Sequence, residues 1–163
     1  MVTKGFTLIE TLVTAVIIGI VAAIAAPNLI GLMNATRVKQ GIAQVEGAIK
    51  EAQRQAIRES KSCTVNIDNP STGYNYVRGA SCISSERKLP TNAKIATNDT
   101  AIIFSSKGIP DNGTDSIFVV HMPNGTNEQR CLVVAPGLGI MRTGEYDGDP
   151  TGTLDAINCV ALP

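Results

Sequence analysis

Glu10 is the one charged residue in an otherwise apolar run, residues 6–26, reading FTLIETLVTAVIIGIVAAIAA. A carboxylate at the centre of a membrane helix costs about 2.5–3.5 kcal/mol, less near its end, so it calls for a partner. Four cysteines, Cys63, Cys82, Cys131 and Cys159, could form disulfides or hold zinc. Near the C-terminus Asp147, Asp149, Thr151 and Asp155 stand at relative positions 1, 3, 5 and 9, with Gly152 at 6 and Leu154 at 8. That is the oxygen spacing of an EF-hand calcium loop, but Asn158 occupies position 12, where a bidentate Glu is required. Arg130, Arg142 and Lys107 are the head cations that could meet a phosphate backbone. Catalytic constellations are missing: there is one histidine, His121, and no GxSxG elbow, P-loop or GxGxxG. The chain does not read as an enzyme, and His121 reads as an ordinary strand residue.

Composition narrows the classes further. The chain has 163 residues, with 14 basic against 14 acidic side chains and a mean hydropathy of +0.12. Zero net charge argues against a strong polyanion binder. The balance is an average over unlike regions: residues 37–61 hold six bases and three acids, and residues 143–163 hold four acids and no base. The first excess reads as a solvated helix face, and the acidic tail is a poor surface for nucleic acid.

The elements that must position these residues follow from periodicity. At ~1.5 Å per residue, a helix over 6–26 spans roughly 31 Å, the thickness of a bilayer core. A secretory signal peptide cut near Ala25–Ala26 is one reading, and a plain anchor is another. Neither gives Glu10 a reason. Cleavage after Gly5 does: the new α-amine of Phe6 would lie one turn from Glu10, so amine and carboxylate could pair between neighbouring subunits.

Beyond Pro27, apolar residues recur at Val38, Ile42, Val45, Ile49, Ala52 and Ala56, the stripe of an amphipathic helix, with Glu46, Lys50, Gln53 and Arg54 opposite. Gly41 and Gly47 each cost such a helix ~1 kcal/mol, so packing must hold it. From Ser62 onward, short β-like runs alternate with turns: 64–67, 74–78, 101–104, 116–121, 131–134 and a further run after Gly139. Five or six mainly antiparallel strands against one helix predict an α+β head.

Four exported cysteines allow three connectivities. The midpoint of 63 and 82 falls in the turn 70–73, which places Cys63 opposite Cys82 across a hairpin and leaves Cys131 for Cys159, tying the tail to a strand. There is no CxxC pair to support zinc.

Lys4-Gly5 followed by Phe6-Thr7-Leu8-Ile9-Glu10 and the apolar run resembles the type III leader of type IV pilins and type II secretion pseudopilins. The resemblance implies cleavage between Gly5 and Phe6 by a prepilin peptidase and N-methylation of Phe6. It implies an assembly role for Glu10, and as partners other pilin subunits and an inner-membrane assembly platform. It also implies a pilin-like fold: leader 1–5, transmembrane and assembly helix 6–27, amphipathic helix 28–61 packed on an antiparallel sheet, and head 62–163 closed by a disulfide-tied tail. The chain would be a single-pass inner-membrane protein with its head in the periplasm or outside the cell.

Strand order in the head is similar to GspH/FimT-like minor subunits. Some of these capture DNA through a Gly-Arg-x-Arg motif; here the stretch is Gly139-Ile140-Met141-Arg142, which lacks the first arginine. Some pseudopilins bind calcium in C-terminal loops, the implied role of the Asp147–Asp155 positions; no other cofactor is implied.

Overall fold

A computed structural model describes residues 6–68, 76–79, 82–123 and 128–161. The leader residues 1–5, the turn at 69–75 and the 124–127 connection lie outside the described residues. The chain divides into two compact units after Met33.

Helix α1 (Leu8–Glu59) contributes to both. In the first unit Leu8, Ile9, Val16, Ile20 and Ile24 are each more than half exposed. No single helix is long and apolar enough to cross a membrane on its own; Leu8–Ile24 and Leu29–Glu59 satisfy length and composition only when taken together.

The second unit carries the stripe foreseen by periodicity, with Val38, Ile42, Val45, Ile49, Ala52 and Ala56 all buried. The two helical glycines have a packing cause. A Cβ on Gly41 would stand 2.8 Å from Val120 Cγ1, and one on Gly47 would stand 3.3 Å from the Arg87 guanidinium. Small residues there let the helix approach the sheet, which offsets their low propensity.

Helix α1 ends on Ser60, whose φ of 52° is left-handed, while Lys61 N donates to Ala56 O. Glycine adopts that conformation without strain, so Ser60→Gly should stabilise the fold by about 0.5–1 kcal/mol. A denaturant midpoint that fails to rise would contradict this account.

The head holds nine strands among the described residues, more than the five or six expected. Strands β1 (Cys63–Asp68), β2 (Tyr76–Gly79), β3 (Arg87–Lys88) and β5 (Ala101–Phe104) form an antiparallel sheet in the order β3-β2-β1-β5. Strands β4 (Lys94–Thr97), β6 (Ser116–His121), β7 (Gln129–Val134), β8 (Met141–Tyr146) and β9 (Cys159–Ala161) form a second one in the order β4-β6-β7-β8-β9. The strands missed from sequence, β3, β4 and β9, have two to four residues each, too short for alternation to register.

Both sheets face the helix stripe and share its core, through Val65, Val77, Ile102 and Phe104 on one side and Phe118, Val120, Leu132 and Val134 on the other. The segment between the sheets is fixed by polar groups. Ser116 Oγ donates to Asp99 Oδ2 at 2.7 Å, and Ile117 N donates to Asn98 Oδ1 at 2.7 Å.

Strand β6 is buried on both faces because the five-stranded sheet is covered twice. Its outer face carries a second, smaller core of Ile117, Val119, Cys131, Val133, Tyr146 and Cys159, onto which Leu154 and Ala156 of the tail pack.

Candidate functional site

The N-terminal end of α1 presents Phe6, 72% exposed, followed by Thr7 and Glu10 in the first turn. Glu10 N donates to Thr7 O at 3.1 Å, and Thr14 Oγ1 returns to Glu10 O at 2.9 Å. Thr11 Oγ1 likewise donates to Leu8 O at 2.8 Å. The threonines therefore satisfy their hydroxyls on their own helix, as a helix in apolar surroundings requires. The Glu10 carboxylate has no ion-pair partner among the described residues. A carboxylate in the first turn is favoured by the helix dipole.

The head cations do not assemble into a phosphate-binding surface. Arg130 lies on the same strand face as Leu132 and Val134, toward the helix, and its side chain is only 11% exposed. Arg142 pairs in register with Val133, so it stands on the opposite face. Its guanidinium is committed to the tail, donating to Ala156 O at 2.6 Å and Cys159 O at 3.3 Å. The structure thus gives Arg142 a latch role that the sequence did not suggest.

Two of the tail acids, Asp149 and Asp155, hold turns with their carboxylates. Asp149 Oδ1 accepts from Thr151 N at 2.8 Å and from Thr151 Oγ1 at 2.7 Å, which holds its carboxyl below the usual carboxylate range. Asp155 Oδ1 accepts from Ile157 N at 3.0 Å and caps the short 3₁₀ helix Ala156–Asn158. Asp147 N donates to Asn158 O. Among the described residues no three His, Cys, Asp or Glu side chains lie together to hold a metal ion. Within the EF-hand-like spacing of Asp147, Asp149, Thr151 and Asp155, the carboxylates of Asp149 and Asp155 thus make Asx-type turns, the other use of the same residue types.

Cys63 is bonded to Cys82 and Cys131 to Cys159, each with Cα atoms 5.8 Å apart. β1 and β2 pair in register from Val65↔Gly79 to Asp68↔Tyr76, and Cys82, three residues past the end of β2, closes that hairpin by its bond to Cys63. The second bond runs from β7 past β8 to the edge strand β9.

Two helix residues placed on the solvent face by the stripe prove to be contacts. Gln53 Nε2 donates to Gly108 O at 3.0 Å and Gly139 O at 3.3 Å, joining two turns whose glycines have φ of +73° and +65°. Glu51 accepts from Ser84 N at 2.9 Å, from Arg87 Nη2 at 2.6 Å and from Ser84 Oγ at 2.7 Å. In that order these donors lower its pKa from 4.5 to about 2.

A lowered carboxyl stabilises the fold above the unfolded pKa, and that stability is lost as pH falls through the folded one. Between about pH 4.5 and pH 2 the head should lose about 1–2 kcal/mol from this clamp, a figure reduced for a side chain 22% open to solvent. Glu51→Gln should flatten that part of the stability–pH curve, and an unchanged slope would exclude the clamp.

His121, half-buried, has its pKa lowered chiefly by burial, with Lys94 acting in the same direction and the Met122 backbone and Asp149 opposing.

Residues 1–26 match the family model described as the prokaryotic N-terminal methylation motif. Two fimbrial proteins of Pseudomonas aeruginosa are each 39% identical to this chain over 71 residues, which cover 44% of this chain and 46% of theirs. The chain thus spans about half the length of the curated relatives it matches. Among solved structures, the type IV minor pilin FimU of Pseudomonas aeruginosa superposes with a TM-score of 0.51 at 13% identity, covering 66% of this chain and 87% of that one. At that identity the likeness is one of fold.

Proposed function

We propose that this chain, which carries the N-terminal methylation motif and the fold of the type IV pilin superfamily, is a minor pilin: a membrane-anchored structural subunit of a type IV pilus. The observation that carries this reading is an apolar helical stretch, exposed from Leu8 to Ile24, with Glu10 in its first turn and no ion-pair partner for it among the described residues.

In this reading a prepilin peptidase cuts between Gly5 and Phe6, and Phe6 is N-methylated. The helix rests in the inner membrane, with the head on the periplasmic side, until an assembly platform moves the subunit into the filament. Glu10 then meets the terminal amine of a neighbouring subunit, which fixes axial register because a charge buried in an apolar bundle has few acceptable positions. The head contributes packing surface.

A type II secretion pseudopilus would use the same parts. DNA capture finds no support in the placement of Arg130 and Arg142, and a secreted soluble domain would leave the pairing of Phe6 and Glu10 without purpose.

Intact-mass measurement of the protein isolated from membranes tests the reading. The expected mass is that of a chain starting at methylated Phe6. A chain starting near Pro27 would overturn it in favour of ordinary secretion.

A further inference from the structure

At one end of the five-stranded sheet, Lys94, His121 and Gln129 are cross-strand neighbours on β4, β6 and β7. They follow Ala96, Val119 and Cys131 at two-residue spacing, so the three side chains form a row on the outer face, continuing the small second core. The row opens into a cleft of about 720 Å³, within the range of small-molecule sites. The tail at Pro150, Thr151, Gly152 and Leu154 forms one wall, and Ile67 and Thr100 lie on another.

Gln129 lines the cleft too, and its Oε1, with almost no exposed surface, has no hydrogen-bond partner among the described residues. A buried acceptor is ordinarily satisfied, so an unpaired one beside a cleft gains a partner when its side chain turns toward a donor supplied from outside. Lys94 is exposed and forms no ion pair among the described residues, which leaves its ammonium to attract an anion. Pro123 and Leu154 add apolar surface.

We propose that this cleft binds a sugar acid, a hydroxylated monosaccharide unit bearing one carboxylate. The carboxylate faces Lys94, a ring hydroxyl donates to Gln129 Oε1, His121 serves a second hydroxyl, and the C–H face of the ring lies against Pro123 and Leu154. A fatty or purely aromatic ligand would leave the three polar side chains unsatisfied. A bare inorganic anion would leave the apolar wall and most of the volume unused.

The test is a titration of the isotope-labelled full chain in detergent micelles with glucuronate and with glucose, followed by NMR. Saturable shifts of the His121 ring and Gln129 amide resonances by glucuronate are expected, with a Kd of about 1 mM. Lys94→Gln should weaken glucuronate roughly tenfold, leaving glucose unchanged, while Gln129→Leu should weaken both sugars by a similar factor. Both side chains line an open cleft, and an unchanged pattern of β7–β8 amide resonances shows that a variant is folded. The proposal is overturned if neither sugar gives saturable shifts in the unmodified chain. It is equally overturned if binding is indifferent to both substitutions, or if an acidic tetrapeptide saturates the cleft and glucuronate does not.

Discussion

Glu10→Ala is expected to leave the protein in the membrane at normal abundance and to cut its incorporation into filaments roughly tenfold or more. Removing a carboxylate makes the apolar run easier to insert, by up to about 2.5–3.5 kcal/mol for a central position, so anchoring cannot suffer. Assembly should, because the variant can no longer answer the amine of a neighbour: a charge left alone in an apolar bundle is penalised, and a loss of 1.4 kcal/mol is already a factor of ten. Glu10→Gln separates the two ways a carboxylate could act. It keeps an acceptor and loses the charge, so if pairing is ionic it should resemble Ala. The measurement is the ratio of protein in sheared filaments to protein in membranes. A ratio equal to wild type for both variants would remove Glu10 from the mechanism. The structure leaves room for this role, since no group among the described residues forms an ion pair with the Glu10 side chain.

The second large effect should come from a single methyl group in the head. Gly144 lies in β8 between Cys131 of β7 and Ala161 of β9. A Cβ there would be driven into the main chain of Val160, with the Val160 carbonyl carbon at 2.7 Å and its oxygen closer still. Backbone cannot rotate aside as a side chain can, so β9 must leave the sheet or β8 must distort. Gly144→Ala should therefore cost about 3 kcal/mol, lowering the melting temperature by about 10 °C for a head of this size. The Cys131–Cys159 bond would still tether the detached strand, so the variant should melt lower and yet remain compact. A melting temperature within a degree or two of wild type would show that Gly144 is dispensable.

Residues with a strong period or a fixed partner were legible before any coordinates. The stripe Val38–Ile42–Val45–Ile49–Ala52–Ala56 announced the buried helix face, since a 3.6-residue period sustained over five turns has few other causes. The turn centred between 63 and 82 pointed to the Cys63–Cys82 pair, because hairpin geometry is symmetric about its turn. What could not be read depended on contacts distant in the chain. Gln53 is polar and lies off the stripe, and nothing local says that two glycine turns, at 108 and 139, will bring their carbonyls to it. Arg142 was read as a cation in search of phosphate, whereas the tail returns two carbonyls to it. The oxygen-rich tail was ambiguous for a chemical reason: aspartate and threonine at alternate positions suit both a cation and a turn, and only the chain path decides.

The second cover over the five-stranded sheet has a consequence in time. Strands β6 and β7 lie between the helix-side core and the tail-side core, so lifting either cover leaves them packed on the other. β4 and β9, at the rims, each pair with a single strand, β9 being tied in addition by the Cys131–Cys159 bond. Opening should begin at those rims and at the tail, while the amides of Phe118 and Leu132 wait for the whole head to come apart. The inner hairpin is then the slowest clock in the molecule, and the tail beside the cleft is one of the fastest.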